Sequence, residues 1–396
     1  MPFPELLPSQ KIALRGAVTD PPIIAWAGGF RSGKTFGLCV ALLAILKCHP
    51  RDSNFLVVGR TLGSVTRNVV PIIQHLCGEL GWSFKHYRGS ASRLFIEGRV
   101  IHLFGAPDES AGDTIAGMTA SGAFIDEVSR IPESVFWMVW SRCSMPNARL
   151  LVSSNKDNPF GWFKTEVWEK LSQWNGLAIE NNLHENTFID AATRARYEET
   201  FSGHYYRRYI ANEWVAAGGA VYTEFDVIEP CEVKGRVFLG LDWGPAGVTA
   251  GVYFSATPYG FAILDEYRHD GRRQGRLTSE EHAQAIRRQG YDIERVIIDP
   301  SAIPLMDALR SAGYDVIGAN NDLDKGIILT DHVLRTGRLK IANNCKELLG
   351  EIDAYVWNTQ EDRPYKRDDH SVDAMRYGAV ELMPIRDLTP IRIGGL

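Results

Sequence analysis

Through the first two hundred residues, short apolar runs alternate with longer stretches whose apolar positions recur every three or four residues, the signature of strands interleaved with helices. Ile23–Ala27, Asn54–Gly59, Ala123–Ile125 and Arg149–Val152 read as buried strands, and Phe36–Leu46 and Leu62–Leu80 as helices. Ser83–Tyr87, Leu94–Glu97 and Val100–Phe104 read as three further strands, punctuated by turn signals at Gly89-Ser90 and Gly98-Arg99. This alternation predicts a largely parallel sheet covered on both faces. From Asn158 to Trp214 the pattern turns helical and aromatic-rich, without a strong strand, and Ala216-Ala217-Gly218-Gly219-Ala220 then reads as a hinge.

A second pattern follows. Val237–Leu241, Thr249–Phe254 and Phe261–Leu264 have the spacing of a strand meander, and Thr278-Ser279-Glu280-Glu281 is a capping box opening a helix that runs to about Gln289. The strand Val296–Ile298, a helix, a strand at Asp315–Ala319 and further helices complete it. Three antiparallel strands followed by alternating helices and strands are the order of an RNase H-like α/β domain. The expected division is residues 1–215, with 158–215 as a small helical lid, a linker over 216–234, and a second domain over 235–396.

Composition narrows the class. A chain of 396 residues, 45% hydrophobic and 23% charged, has the make-up of a two-domain globular protein. Its longest apolar run, Phe36–Leu46, falls short of the roughly 20 residues of a membrane span, and the N-terminus lacks a signal-peptide layout. The expectation is a cytoplasmic protein with no membrane partner. The six cysteines show neither zinc spacing nor a disulfide framework, and read as small, mostly buried core residues. The net charge of −5 is uneven: residues 1–215 carry 22 basic against 20 acidic side chains, and residues 216–396 carry 21 against 28. Contact with nucleic acid must therefore use local basic patches, and a metal-binding cluster would account for part of the acidic excess.

The residues Gly28, Gly29, Phe30, Arg31, Ser32, Gly33, Lys34 and Thr35 have the spacing of a phosphate-binding P-loop, with a strand before and a helix after. Glycines let the backbone N–H groups converge on phosphate oxygens, Lys34 would reach the β- and γ-phosphates, and Thr35 would help hold Mg²⁺. The expected ligand is a nucleoside triphosphate. Asp126-Glu127 closes an apolar strand, so Asp126 is a candidate for the same Mg²⁺ and Glu127 for the general base; an Asp-Glu pair can equally be a plain helix start. Ser153-Ser154-Asn155 is a polar tip placed to sense the γ-phosphate. Gln10 either hydrogen-bonds the adenine edge or is a solvent-facing helix start. Arg31, Arg60, Arg130, Arg142 and Arg149 are all candidates for an arginine finger, and the sequence does not choose among them.

In the second domain Asp242 and Asp299 each follow a strand, and Asp373 lies on the last helix. The RNase H-like order places the first two at matching strand ends, with Asp373 converging on them. Clustered carboxylates call for a cation, so these three are candidate catalytic ligands for two Mg²⁺ or Mn²⁺ ions acting on a phosphodiester. Glu266, Asp369 and His370 are second-rank candidates.

Taken in order, GGFRSGKT, FIDE, the Ser-Ser-Asn tip, LGLDWG, VIIDPS and DHSVDAMRYG resemble the large terminase subunit of tailed phages over nearly the whole chain. The resemblance implies a P-loop ATPase of the ASCE type with a small helical lid, followed by an RNase H-like nuclease domain. It implies ATP hydrolysis served by Lys34, Thr35, Asp126 and Glu127, and DNA cleavage served by Asp242, Asp299 and Asp373. Implied partners are double-stranded DNA, the portal protein, a small terminase subunit and further copies of the chain in a ring, usually pentameric, working in the host cytoplasm. Residues 100–125 contain no Arg, whereas some members carry a trans-acting finger there. A translocase with a non-cutting second domain, or a recombinase with a regulatory ATPase, shares part of this pattern.

Overall fold

The computed structural model describes residues 5–19, 21–89, 91–230, 236–359 and 361–384. Ser90, Cys231 and everything after Pro384 thus lie outside the described residues. The chain forms two compact units, which part between Ala216 and Ala217.

In the first unit the elements run α1 (Pro8–Val18), β1 (Ile23–Gly28), α2 (Lys34–Cys48), β2 (Asn54–Gly59), α3 (Leu62–Asn68), α4 (Val70–Leu80), β3 (Phe84–Tyr87), β4 (Arg93–Ile96), β5 (Arg99–Gly105), α5 (Ala111–Ala116), β6 (Gly122–Ile125), α6 (Glu133–Arg142), β7 (Arg149–Ser154), β8 (Leu177–Asn181), α7 (Ala191–Thr200) and α8 (Gly203–Tyr209). The strands form one eight-stranded sheet in the order β3-β4-β5-β2-β6-β7-β1-β8. All pairings from β5 to β8 are parallel, and only the β3-β4-β5 meander is antiparallel. The central strands are buried on both sides. Residues such as Trp26, Phe55, Val57 and Phe124 face α2 and α4, while Ala25, Val58, Ile125 and Val152 face α6. This two-sided packing explains why the central strands are continuous apolar runs rather than alternating ones.

The structure corrects two expectations. The helix expected over 62–80 is two helices meeting at Val69, because Pro71 sits in the first turn of the second, where its missing N–H costs nothing. The stretch expected to be strand-free contributes β8, which pairs with β1 at the sheet's edge. The aromatic residues of that stretch pack inward, with Trp162 against Phe136 (5.5 Å) and Trp174 against Trp140 (5.5 Å). Several of its bases are already matched, as in Lys164–Glu169, Lys170–Glu166 and Arg207–Glu213. Those aromatic residues are core, and these bases form a paired rim.

The second unit comprises β9 (Asp226–Ile228), β10 (Val237–Asp242), β11 (Val248–Thr257), β12 (Gly260–Asp270), α9 (Gly271–Gln274), α10 (Ser279–Arg288), β13 (Ile293–Ile298), α11 (Ile303–Ser311), β14 (Val316–Gly318), α12 (Leu323–Arg335), β15 (Leu339–Ala342), α13 (Lys346–Ala354), the short pair β16 (Trp357–Asn358) and β17 (Arg363–Pro364), and α14 (His370–Leu382). Seven strands form a mixed sheet in the order β14-β13-β10-β11-β12-β15-β9. β10 pairs antiparallel with β11 and parallel with β13, so Asp242 and the residue after Ile298 lie at matching ends. The stretch 216–234 is more than a connector, since β9 within it pairs with β15. The expected capping box is present: Thr278 Oγ1 accepts from the Glu281 N–H, and Glu281 accepts from the Thr278 N–H. Of the described cysteines, Cys39, Cys77 and Cys345 are buried thiols, whereas Cys48 is exposed. Among the described residues no helix is long and apolar enough to cross a membrane.

Candidate functional site

The loop between β1 and α2 is held from outside at nearly every residue. Gly33 has φ +84°, which glycine adopts freely, and a Cβ there would meet Gln10 Nε2 at 2.8 Å. A Cβ on Gly29 would lie 2.4 Å from the Tyr209 carbonyl oxygen. The Phe30 N–H donates to that same Tyr209 oxygen (2.8 Å), and the Phe30 and Tyr209 rings stack at 4.3 Å. Side-chain amides then take up the loop's carbonyls: Asn212 donates to Ala27 O (3.1 Å), Asn186 to Arg31 O (2.6 Å), Asn181 to Ser32 O (2.6 Å) and Gln10 to Gly33 O (3.1 Å). Asn181 also accepts from the Trp26 indole N–H at 2.8 Å. With its carbonyls tied back, the loop leaves the first N–H groups of α2 without helical partners, as at any helix start. Gln10 is buried, and its oxygen accepts the Leu7 N–H at 2.9 Å, so it is not a solvent-facing helix start.

Beneath this loop sits a line of polar groups. Lys34 Nζ donates to Asn155 Oδ1 (2.8 Å) and Gly29 O (3.1 Å), and burial pulls its pKa down against the opposing pull of Asp126, Glu127 and Asp157. Thr35 Oγ1 lies 3.4 Å from Asp126 Oδ1, which also accepts from Ser153 Oγ at 2.6 Å. Burial first, and the neighbouring Glu127 second, raise the Asp126 pKa to about 6. Glu127 holds a left-handed backbone, φ 54° and ψ 53°, and its N–H donates to the same Ser153 Oγ at 3.0 Å. Ser153 thus ties Asp126 to Glu127, and Asn155, two residues on, holds Lys34. Ser32 Oγ is buried without a hydrogen-bond partner.

A nucleotide and its cation can be tested against this arrangement. A buried ammonium with only neutral hydrogen-bond partners, an orphaned Ser32 hydroxyl and a hydroxyl–carboxylate pair 3.4 Å apart match a phosphate chain carrying a hard divalent ion. The residues present fit the group.

Of the arginines, Arg142 donates to Ala116 O (2.7 Å) and Arg149 to Pro21 O (3.2 Å). Arg31 has a positive φ of 55° and donates to the Tyr197 hydroxyl at 3.1 Å. Arg60, just past β2, is exposed. Arg130 ends the single helical turn that follows Glu127.

In the second unit the last helix lies tightly on the first strand of the meander, since a Cβ on Gly240 would meet the Ala374 carbonyl at 2.2 Å. That approach carries the start of α14 to the end of β10, where His370 Nδ1 lies 2.8 Å from Asp242 Oδ2 and the carboxylate raises the His370 pKa. Burial raises the pKa values of Asp369 and Asp373, and Asp242 adds to both. Asp373 is clamped by the buried Arg376 (2.8 Å), and Asp299 accepts from the Ser301 N–H (2.7 Å) and the Tyr377 hydroxyl (3.2 Å). The expected convergence is therefore looser than a closed ligand set. Among the described residues no three His, Cys, Asp or Glu side chains stand close enough to share one ion. Each carboxylate has its own protein partner, in His370, Arg376 or Tyr377.

Glu266 does not join this group. It accepts the N–H groups of Glu347 (2.9 Å) and Leu348 (3.0 Å) at the start of α13. Sequence reasoning missed Glu351, whose carboxylate accepts from Ser371 N–H (2.6 Å), Val372 N–H (3.1 Å) and Arg268 Nη1 (2.6 Å), and so fixes the start of α14. It also missed the asparagines around the loop. The polar run from Glu180 to Asn186 holds Asn181 and Asn186, and it carries no spacing that marks them.

A glycine-rich turn from a parallel central strand into a helix, with a buried lysine and a hydroxyl–carboxylate pair, defines the P-loop class of nucleotide-binding α/β proteins. Residues 26–227 match the family model described as terminase large subunit, T4likevirus-type, N-terminal, and the chain belongs to the terminase large subunit family. It is similar to the large terminase of a thermophilic bacteriophage, at 28% identity and a TM-score of 0.85 over 96% of this chain and 99% of that one. The ADP complex of the same phage protein is similar at 27% identity and TM-score 0.85, over 95% and 99% of the two chains. Its ATP-γ-S complex gives 27% and 0.84 over the same shares. No curated protein matches the chain.

Proposed function

We propose that this chain is the ATP-hydrolysing motor that drives double-stranded DNA into a prohead, and that its second unit is an RNase H-like, metal-dependent endonuclease that cuts the genome. The observation that carries the motor reading is the chain Thr35–Asp126–Ser153–Glu127 beside the buried Lys34–Asn155 pair, which brings candidate metal ligands, a candidate base and a phosphate-binding lysine around one loop. The nucleotide complexes of the similar thermophilic phage protein support ATP as the ligand.

The N–H groups at the start of α2 and the Lys34 ammonium bind and orient the β- and γ-phosphates. Thr35 and Asp126 would hold Mg²⁺, which supplies neutralisation of the charge on the transferred phosphoryl group. Glu127 takes the proton of the attacking water as its oxygen bonds to the γ-phosphorus, the bond from that phosphorus to the bridging oxygen breaks, and ADP keeps the electron pair. Ser153, bonded to both acidic residues, couples the position of the base to that of the metal ligand. Gln10 holds the loop at Gly33. The arginine finger is to be sought among Arg31, Arg60, Arg130, Arg142 and Arg149 by single substitution.

In the second unit the strand order β12-β11-β10-β13-β14, with three antiparallel strands then two parallel ones, supports the RNase H-like reading. Hard carboxylate oxygens suit Mg²⁺ or Mn²⁺, with Asp242, Asp299 and Asp373 as ligands and Asp369 and His370 beside them. Such ions supply an activated water and charge neutralisation at the leaving oxygen. The domain division we propose is ATPase to residue 215 or 216 and nuclease beyond. Portal protein, small terminase subunit and a homo-oligomeric ring, in the host cytoplasm, complete the proposal.

The test is cleavage of supercoiled plasmid by the full chain with Mn²⁺. Nicking and linearisation by the wild type, lost in Asp242→Asn but kept in Lys34→Ala, is the expected result. Undiminished cleavage by Asp242→Asn would remove the nuclease assignment.

A further inference from the structure

The meander β3-β4-β5 forms one edge of the first sheet, and its two faces differ in burial. Burial alternates along all three strands. Leu94, Ile96, Ile101 and Leu103 point into the cluster that also holds Ile73 and Leu76 of α4. The opposite face carries Lys85, Tyr87, Arg93, Phe95 and His102, and Lys85, Tyr87 and Arg93 are exposed there. Register makes these a patch rather than a scatter, because Lys85 is paired across from Phe95, Tyr87 from Arg93, and Arg93 in turn from His102. The Tyr87 and Phe95 rings meet edge to face at 5.1 Å, and Lys85 Nζ stands 4.7 Å from the Tyr87 ring centre.

The charge on this face has one sign. None of the residues of the three strands is acidic, and Arg88 adds a further exposed cation at the end of β3. Glu97, in the turn at the other end, is occupied by the Ser83 N–H. The nearby Arg93 disfavours protonation of His102, second to burial, which is how a local positive potential acts on a titrating neighbour. In a chain of net charge −5, an uncompensated row of Lys and Arg held in register by aromatic rings is complementary to a regular line of phosphates.

We infer that the open face of β3-β4-β5, through Lys85, Arg93 and Arg88, binds the phosphate backbone of double-stranded DNA. This rests on the reading of the chain as a DNA motor and assigns a DNA-binding face to the ATPase unit itself. Binding there is independent of base sequence, since a flat sheet face touches phosphates rather than groove edges.

Fluorescence anisotropy of the full chain with a labelled linear duplex, titrated at several salt concentrations, tests it. Lys85→Glu/Arg93→Glu is expected to weaken binding by roughly 30-fold or more at low salt. It should also flatten the slope of log affinity against log salt by about 0.9 for each phosphate no longer neutralised. ATP hydrolysis without DNA should stay at the wild-type rate, because neither residue touches the loop, and a wild-type melting temperature would show that the fold is kept. Wild-type affinity and slope in the double variant would overturn the inference and leave the lysine and arginines as guards of an exposed edge strand. Abolished self-association with intact DNA affinity would overturn it in favour of a protein–protein interface. A wild-type chain that binds no duplex would instead overturn the motor reading, so the two failures are distinguishable.

Discussion

Replacing Asn181 separates two jobs that one buried amide performs. Its oxygen accepts the Trp26 indole N–H at 2.8 Å, and its nitrogen donates to Ser32 O at 2.6 Å, with the side chain shielded from water. Asn181→Leu is close in volume, so what disappears is hydrogen bonding rather than packing. It strands one buried donor and one buried acceptor at about 1–3 kcal/mol each, offset by about 1 kcal/mol of added apolar burial, for a net cost of about 3 kcal/mol. Trp26→Phe removes the indole donor, strands the Asn181 amide oxygen and leaves a small cavity. In the double variant neither the indole N–H nor the amide oxygen is left stranded, so the two changes should fall short of additivity by at least about 1–3 kcal/mol. Urea unfolding followed by tryptophan fluorescence reports on the right unit, because eight of the ten tryptophans precede Ala217. The KM for ATP divides the roles further. Asn181→Leu frees the Ser32 carbonyl and should raise KM roughly tenfold, whereas Trp26→Phe leaves the loop tied and should leave KM within about twofold. Additivity within about 0.5 kcal/mol, or equal KM effects from both changes, would mean that Asn181 does not link the indole to the loop.

Lys34→Ala should reduce kcat for ATP by at least about 100-fold while the melting temperature holds or rises, because a buried ammonium without a close carboxylate is removed; steady-state phosphate release and calorimetry check both. Glu351→Ala strands two N–H groups of α14 and leaves Arg268 to Glu347 and Ser371, and should cost the second unit about 2–4 kcal/mol, measured by denaturation followed at Trp243 and Trp357 in a variant lacking the other tryptophans. His282 is bonded to the Tyr267 hydroxyl, and burial followed by His269 lowers its pKa to about 4. The unfolded chain therefore binds the proton first as pH falls. At most about 3 kcal/mol of stability, fully present above pH 6.5, should disappear progressively between about 6.5 and 4; His282→Gln should flatten that part of a stability–pH profile.

Much of the fold was legible because its signals are local. Central strands buried on both sides must be continuous apolar runs, and a phosphate loop must carry glycines, so β1, β2, β6, β7 and the turn into α2 stand out in the sequence. The paired end positions of Asp242 and Asp299 follow from strand order alone. What escaped depends on partners distant in the chain. β8, with the sequence LAIEN, is a strand only because β1 offers it an edge, and β9 and β15 support each other across more than a hundred residues. Asn181, Asn186 and Asn212 owe their place to carbonyls about 150 to 185 residues away in sequence, and an amide side chain has no periodicity that would announce this. Arg376 and Tyr377 stood within a recognised motif, yet their roles as donors to Asp373 and Asp299 needed the packing of α14 on β10 to become visible. The same packing showed that each of the three aspartates has a protein donor of its own.

A motor must couple its phosphate loop to its track, so Lys34 and the residues around it should hydrolyse ATP in response to DNA. Phosphate release by the full chain, with and without linear duplex DNA, measures this directly. Hydrolysis should rise several-fold with DNA and disappear in Lys34→Ala under either condition. Hydrolysis indifferent to DNA, or surviving in Lys34→Ala, would contradict the assignment of this loop as the engine of DNA movement.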